Sequence, residues 1–259
     1  LISASSTADK IRDAGDYIFR NVPPNARQAQ TAVEFCFERL KAKRAAILYM
    51  NNDYGISLRD EFKRRFQRAG GSIVAMEAYN PGARDFRSQL VKIKAAGPTV
   101  VFYPGHYQES GLILKQAKEL GLKATFVGGD GSFAPELIQI AGNAAEGSYY
   151  TMMAMGYGVA DEEIKKFVTA FKRKYGEEPS VYAAYAYDAL KLVADAIRRG
   201  GYTADGIKNA LYRTKDFKGV TGITRFDKNG EVDKPFYIYE VKKGKFQLTD
   251  WRPGGDKDE

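Results

Sequence analysis

The side chains best equipped for chemistry fall at a few breaks between apolar runs. Phe126-Val-Gly-Gly-Asp-Gly-Ser-Phe-Ala-Pro-Glu-Leu137 ends an apolar stretch in Asp130, a carboxylate set between glycines, and then starts a helix. Comparable breaks carry Ser5, Ser6 and Thr7, then Asn51, Asn52, Asp53 and Tyr54, then His106 and Tyr107. Hydroxyl donors, aromatic walls and a fixed carboxylate together suit a small zwitterion. The hydroxyls and nearby backbone N–H groups would take its carboxylate, and Asp130 would pair with its ammonium. The competing explanation is plainer: Asp130-Gly131 makes a loop turn, Tyr54 packs a helix start and His106 lies on the surface.

Asp130 and His106 would also serve as an acid/base pair. No Gly-x-Ser-x-Gly elbow, Walker A sequence or Gly-x-Gly-x-x-Gly fingerprint accompanies them, so no enzymatic activity is expected. Gly105-His-Tyr-Gln-Glu-Ser-Gly111 imitates a phosphate loop but lacks the Lys-Ser/Thr ending. The single cysteine, Cys36, excludes an internal disulfide and a multi-thiolate metal site, and the single histidine excludes a His-rich one. No cofactor is implied. Cys36 recurs with Ala29, Ala32, Val33, Phe37 and Leu40 at helical spacing, which marks it as a buried structural thiol. The net charge of +8 raises nucleic acid as a partner. Its basic runs, Lys63-Arg64-Arg65 and Lys172-Arg173-Lys174, lie inside amphipathic helices as solvated faces, so no nucleic acid is expected.

The elements that must position these residues follow from the 259-residue pattern, 44% apolar and 28% charged. No stretch approaches the roughly 18 consecutive apolar residues of a membrane span, and Leu1 begins no signal peptide. Tyr17–Arg20 is a short strand candidate, and Asn25 is placed to cap a helix running to about Lys41. Strands at Ala45–Met50, Ser72–Tyr79, Thr99–Tyr103, Thr125–Gly128 and Ser148–Met153 then alternate with helices at Ile56–Ala69, Phe86–Ala96, Glu109–Leu120 and from Pro135 to near Gly142. Such alternation means βαβ units and a mainly parallel sheet covered on both faces. If the polar breaks share one sheet, its strand ends gather them into a cleft.

After Met153 the pattern changes. Helices at Asp161–Tyr175, Ser180–Arg199 and Thr203–Tyr212 come without strands between them. Gly222–Asp227 and Phe236–Val241 are expected to pair around Lys228-Asn229-Gly230, and Lys243-Gly244-Lys245 turns into Phe246–Leu248. Residues 253–259 are expected to fray.

Taken together, Ile2-Ser-Ala-Ser-Ser-Thr7, Asn52-Asp-Tyr-Gly55, Val101-Phe-Tyr-Pro-Gly-His106, Phe126-Val-Gly-Gly-Asp-Gly131, Ala145-Glu-Gly147 and Pro179-Ser-Val-Tyr-Ala-Ala-Tyr-Ala-Tyr-Asp188 resemble, in order and spacing, the Leu/Ile/Val-binding proteins. These are type I periplasmic solute-binding proteins of branched-chain amino-acid ABC transporters. The resemblance covers Leu1 to about Leu248. It implies an α/β, periplasmic-binding-protein-like I fold of two Rossmann-like lobes that close on an amino acid or related zwitterion by hinge bending. It also implies a periplasmic or extracytoplasmic location and an ABC permease as membrane partner. By the same resemblance Ser5 and Thr7 hold the ligand's carboxylate and part of its ammonium, Tyr54 closes on the ligand from the second lobe, and Asp130, where the Leu/Ile/Val-binding protein has glutamate, pairs with the ammonium. His106 stands where that protein has tyrosine. The alternatives are a ligand-sensing ectodomain or regulator of the same fold and, ranked below it, an enzyme acting on amino acids or amides.

Against this family the first lobe looks incomplete. Residues 1–7 would be a remnant of its strand, 8–152 the second lobe, 153–234 a helical remnant of the first, 235–249 strands returning to the second, and 250–259 a tail. The chain crossings would fall near Thr7–Lys10, Met153–Gly158 and Val232–Pro235. Such a truncated chain is expected to bind poorly and, through apolar helix faces at 161–212, to form oligomers or domain swaps.

Overall fold

The computed structural model describes residues 1–153 and 161–253. In chain order, β1 (Ile2–Ser3) and β2 (Phe19–Arg20) precede α1 (Asn25–Glu38), β3 (Arg44–Met50), α2 (Asp53–Arg68) and β4 (Ser72–Tyr79). Next come α3 (Arg87–Ala96), β5 (Val100–Tyr103), α4 (Tyr107–Glu119), β6 (Thr125–Gly128), α5 (Pro135–Ala141) and β7 (Tyr149–Met152). The chain ends with α6 (Asp161–Tyr175), α7 (Val181–Gly200), α8 (Ala204–Tyr212), β8 (Phe217–Gly219), β9 (Gly222–Thr224), β10 (Tyr237–Lys242) and β11 (Lys245–Leu248). Among the described residues no helix is long and apolar enough to cross a membrane.

Contacts divide the chain into two compact units, Leu1–Pro24 with Met153–Pro235 and Asn25–Met152 with Phe236–Glu259. The expected crossing at 153–158 falls mostly outside the described residues, as does the expected frayed end from 254 onward.

The unit built on Asn25–Met152 has a seven-stranded sheet of order β11-β10-β7-β6-β5-β3-β4. β3 to β7 run parallel, while β10 pairs antiparallel with β7 and β11. Alternation along each strand divides the core between two faces, because successive side chains point oppositely. Ala46, Leu48, Met50, Val101, Tyr103, Phe126 and Tyr150 pack with Leu90, Ile93, Ile113, Leu114 and Leu137 of α3, α4 and α5. Ala45, Ile47, Val100, Phe102 and Val127 pack instead with Ala29, Ala32 and Cys36 of α1 and Leu58, Phe62 and Phe66 of α2. Phe62 stacks on Phe102 with ring centroids 4.0 Å apart. Cys36 is fully buried and unpaired, and burial pushes its thiol pKa up. Past β11, Trp251 donates to Glu38 Oε2 at 3.0 Å and sets its ring edge-on to Phe35.

Helix α2 starts where it does because Asn52 Oδ1 accepts from Gly55 N at 2.8 Å, satisfying a donor of the first turn. Asn52→Ala is expected to lower stability by about 1 kcal/mol, read as a shift in the urea midpoint without a change in slope. Asn25, by contrast, does not cap α1. It is the first helical residue, its Nδ2 donates to Tyr54 O at 3.3 Å, and its Oδ1 accepts no hydrogen bond. The basic run on α2 is tied into its own helix, with Arg64 and Arg65 both paired to Glu61.

In the other unit β1 and β2 pair in parallel, Ile2 opposite Phe19 and Ser3 opposite Arg20. This pairing corrects the expected first crossing: residues 8–24 belong with 1–7, and the chain leaves this unit after Pro24. The reason is burial. Phe19 packs among Leu192, Ala196, Ala210, Leu211, Phe226 and Val232, so β2 is anchored to α7 and α8. The expected pairing of 222–227 with 236–241 is also corrected. β9 pairs with β8, and a turn stapled by Asp227 Oδ1, which accepts from Asn229 N at 2.7 Å and Glu231 N at 3.0 Å, closes at once on a Phe226–Val232 bridge. That leaves β10 to join β7.

A buried polar cluster ties this unit together. Asp188 of α7 accepts from Val220 N at 2.9 Å, from Thr221 N at 2.7 Å and from the Thr221 hydroxyl. Lys234 Nζ donates to Thr221 Oγ1 at 3.0 Å and to Asn21 Oδ1 at 2.8 Å. Desolvation lowers the Lys234 pKa to about 8 against the opposing attraction of Asp188.

Candidate ligand-binding site

In the larger sheet β3 is flanked by β4 on one side and β5 on the other, so the connection from β3 to β4 and the next one, from β4 to β5, run in opposite directions across the sheet. The carboxyl ends of β3 and β5 therefore bracket a switch point, where open α/β sheets hold ligands. Tyr54 follows β3 in the first turn of α2, His106 follows β5 just before α4, and Asp130 follows β6 in a 3-10 turn, Asp130–Ser132. These three predicted residues are brought together.

Tyr54 Oη donates to Asp130 Oδ1 at 2.8 Å and accepts from Gly131 N at 3.2 Å. The Tyr54 and His106 rings stack with centroids 5.9 Å apart and 27° between planes. His106 is exposed, Tyr54 half-buried and Asp130 buried. The flanking glycines permit this approach. A Cβ on Gly129 would overlap the Tyr54 hydroxyl, and one on Gly131 would lie 2.7 Å from Gly105 O and 3.1 Å from His106 Cδ2. Ser132 Oγ, 2.7 Å from Ser110 Oγ and donating to Gly105 O at 3.1 Å, fixes the Asp130 turn to the loop that carries His106.

Burial raises the Asp130 pKa above its ordinary 3.8, opposed by hydrogen bonds from Gln28, Tyr54 and backbone N–H groups. A buried carboxylate with its donors already placed is suited to receive a cation, because a cationic partner offsets the cost of keeping it ionised.

Two residues of this constellation were not anticipated. Gln28 Nε2 donates to Asp130 Oδ1 and to Thr151 Oγ1, each at 2.9 Å. Gln28 lies four residues before Ala32 and eight before Cys36, on the apolar stripe of α1, and a polar residue on such a stripe is the signal that was available. Thr151, in β7 beside apolar neighbours, carries no comparable signal.

Ser5 and Thr7 follow β1 in the smaller unit, Ser5 exposed and Thr7 buried. They do not share the sheet of Tyr54, His106 and Asp130, so convergence within one sheet covers only the latter three. Asn52 is occupied as a helix cap and Asn51 donates to Asn80.

Sheet, switch point and buried carboxylate make the larger unit an open α/β fold with a candidate ligand site at its carboxyl edge. The model of the family described as periplasmic binding protein matches residues 1–245, and the chain belongs to that family. It is 34% identical over 246 residues to a leucine-, isoleucine-, valine-, threonine- and alanine-binding protein of Pseudomonas aeruginosa, an alignment covering 94% of this chain and 65% of that relative. The chain thus spans about two thirds of the relative's length. Among solved structures, a leucine binding protein from Thermotoga maritima superposes with a TM-score of 0.88 at 30% identity, covering 96% of this chain and 71% of that one. A branched-chain amino acid transporter substrate binding protein from Streptococcus pneumoniae, in complex with isoleucine, gives a TM-score of 0.85 at 34% identity, covering 96% and 72%.

Proposed function

We propose that the protein binds an amino acid of the branched-chain or a related class, without chemistry on it, as the extracytoplasmic solute-binding component of an ABC transporter that passes ligand to a membrane permease. The observation that carries this is the buried Asp130 carboxylate, braced by Tyr54 and Gln28 at the carboxyl edge of the sheet. That is the chemistry an α-ammonium needs. The Tyr54–His106 stack is proposed as a wall against the ligand's side chain. The names of the relatives support the choice of ligand class.

Ligand-observed NMR, which detects weak as well as tight binding, tests this with leucine, isoleucine, valine, alanine and threonine against their N-acetyl derivatives. Saturable binding of at least one free amino acid and none of its N-acetyl form is expected, because acetylation removes the positive charge. Equal binding of both forms, or of neither across the panel, would sink the proposal.

A further inference from the structure

Asp130 is met by donors from separate elements, Gln28 of α1 and Tyr54 of α2, and they differ in kind. Tyr54 is half-buried beside the exposed His106 ring. Gln28 is fully buried, and its amide is fixed at a second point by Thr151 Oγ1, which itself donates to Gly128 O at 3.3 Å. The bond series Gly128 O, Thr151, Gln28, Asp130 thus returns to the strand end from which Asp130 projects. Such a closed series allows the carboxylate one orientation.

We propose that Gln28 is a positioning residue of the ammonium site: its amide, held by Thr151, sets the orientation of the Asp130 carboxylate and favours its charged form. This rests on the proposed amino-acid function but can be tested apart from it. An N–H donor stabilises the ionised carboxylate more than the protonated one, so Gln28 opposes the upward effect of burial on Asp130. The titratable groups that face Asp130 include the Tyr54 phenol and, stacked on it, the His106 imidazole. Gln28 carries no charge, so exchanging it for a neutral residue changes hydrogen bonding without adding a titration.

Gln28→Met preserves the volume and removes the donor. Carbon-13 NMR titration of the Asp130 carboxyl, assigned with Asp130→Asn, is compared in the unliganded parent and variant. The Asp130 pKa is expected to rise further in Gln28→Met, and amino-acid affinity at neutral pH to fall about 10-fold. Thr151→Val, which frees Gln28 from its anchor, is expected to move both in the same direction by less, and it decides the matter if Gln28→Met does not fold. An unchanged Asp130 titration in a folded variant, even with a lowered melting temperature, would make Gln28 a packing residue and overturn the proposal. Should the parent bind no amino acid, the functional reading fails, yet the titration still decides the role of Gln28.

Discussion

Asp130→Ala is expected to abolish amino-acid binding while the protein stays folded. Truncating one partner of a buried, hydrogen-bonded charge pair costs about 2–5 kcal/mol, much of it from leaving the other charge without a counter-ion. That corresponds to a loss of roughly 30-fold to several thousand-fold. The stability cost should be small, because in the unliganded protein the ionised carboxylate is itself held at a desolvation cost that raises its pKa. The same shift fixes a pH dependence. An α-ammonium binds the ionised carboxylate and lowers its pKa, so binding releases a proton wherever Asp130 is protonated in the free protein. Affinity in the parent should be level near neutral pH and fall on acidification through the raised Asp130 pKa, at a higher pH than an ordinary carboxylate near 3.8 would give. Binding measured across pH in the parent and in Asp130→Asn checks this. A parent profile level down to the ordinary carboxylate range, or an alanine variant that binds like the parent, would remove Asp130 from the site.

The second large effect concerns stability. Asp188→Ala should destabilise the smaller unit by about 3–5 kcal/mol, since it strands the N–H groups of Val220 and Thr221 and leaves the Lys234 ammonium buried without its nearby carboxylate. Urea unfolding monitored together with amide exchange at Val220 and Thr221 would show it, and a change under 1 kcal/mol would refute the account. Lys234 supplies a companion test. Its folded pKa, about 8, lies below its ordinary 10.5. Between these values the unfolded chain holds a proton that the folded chain has released, so stability rises as pH increases from about 8 to about 10.5. The difference between the parent and Lys234→Met should therefore grow in the parent's favour across that window. A flat difference would show that Lys234 is not desolvated as described.

Much of this protein was legible in its sequence because periodicity is local. The strands at Ser72–Tyr79 and Thr125–Gly128 and the helix at Asp161–Tyr175 have the bounds the pattern implied, since apolar spacing and Gly or Pro punctuation act over one or two turns of chain. The errors arose where the outcome depended on distant partners. Phe19 belongs with α7 and α8, from a stretch far along the chain, so nothing near it disclosed the allegiance of residues 8–24. β10 reads equally well as the partner of β9 or of β7, and the tight Asp227 turn, together with the open edge of β7, settled the matter.

The site divides in the same way. Asp130 stood out because a carboxylate between glycines after an apolar run is a local feature, and Tyr54 and His106 because they too end strands. By itself the sequence determined the α/β class, the strand ends that carry polar side chains, and the residue types available to a zwitterion. Only the tertiary structure decided that Tyr54 and Gln28 both donate to one oxygen of Asp130, that Thr151 anchors Gln28, and that Ser5 and Thr7 lie on a different sheet. The reason is that a hydrogen bond depends on distance and angle in space, and Gln28, 102 residues from Asp130 in the chain, is brought to it only when α1 packs on the sheet face that carries Val127 of β6.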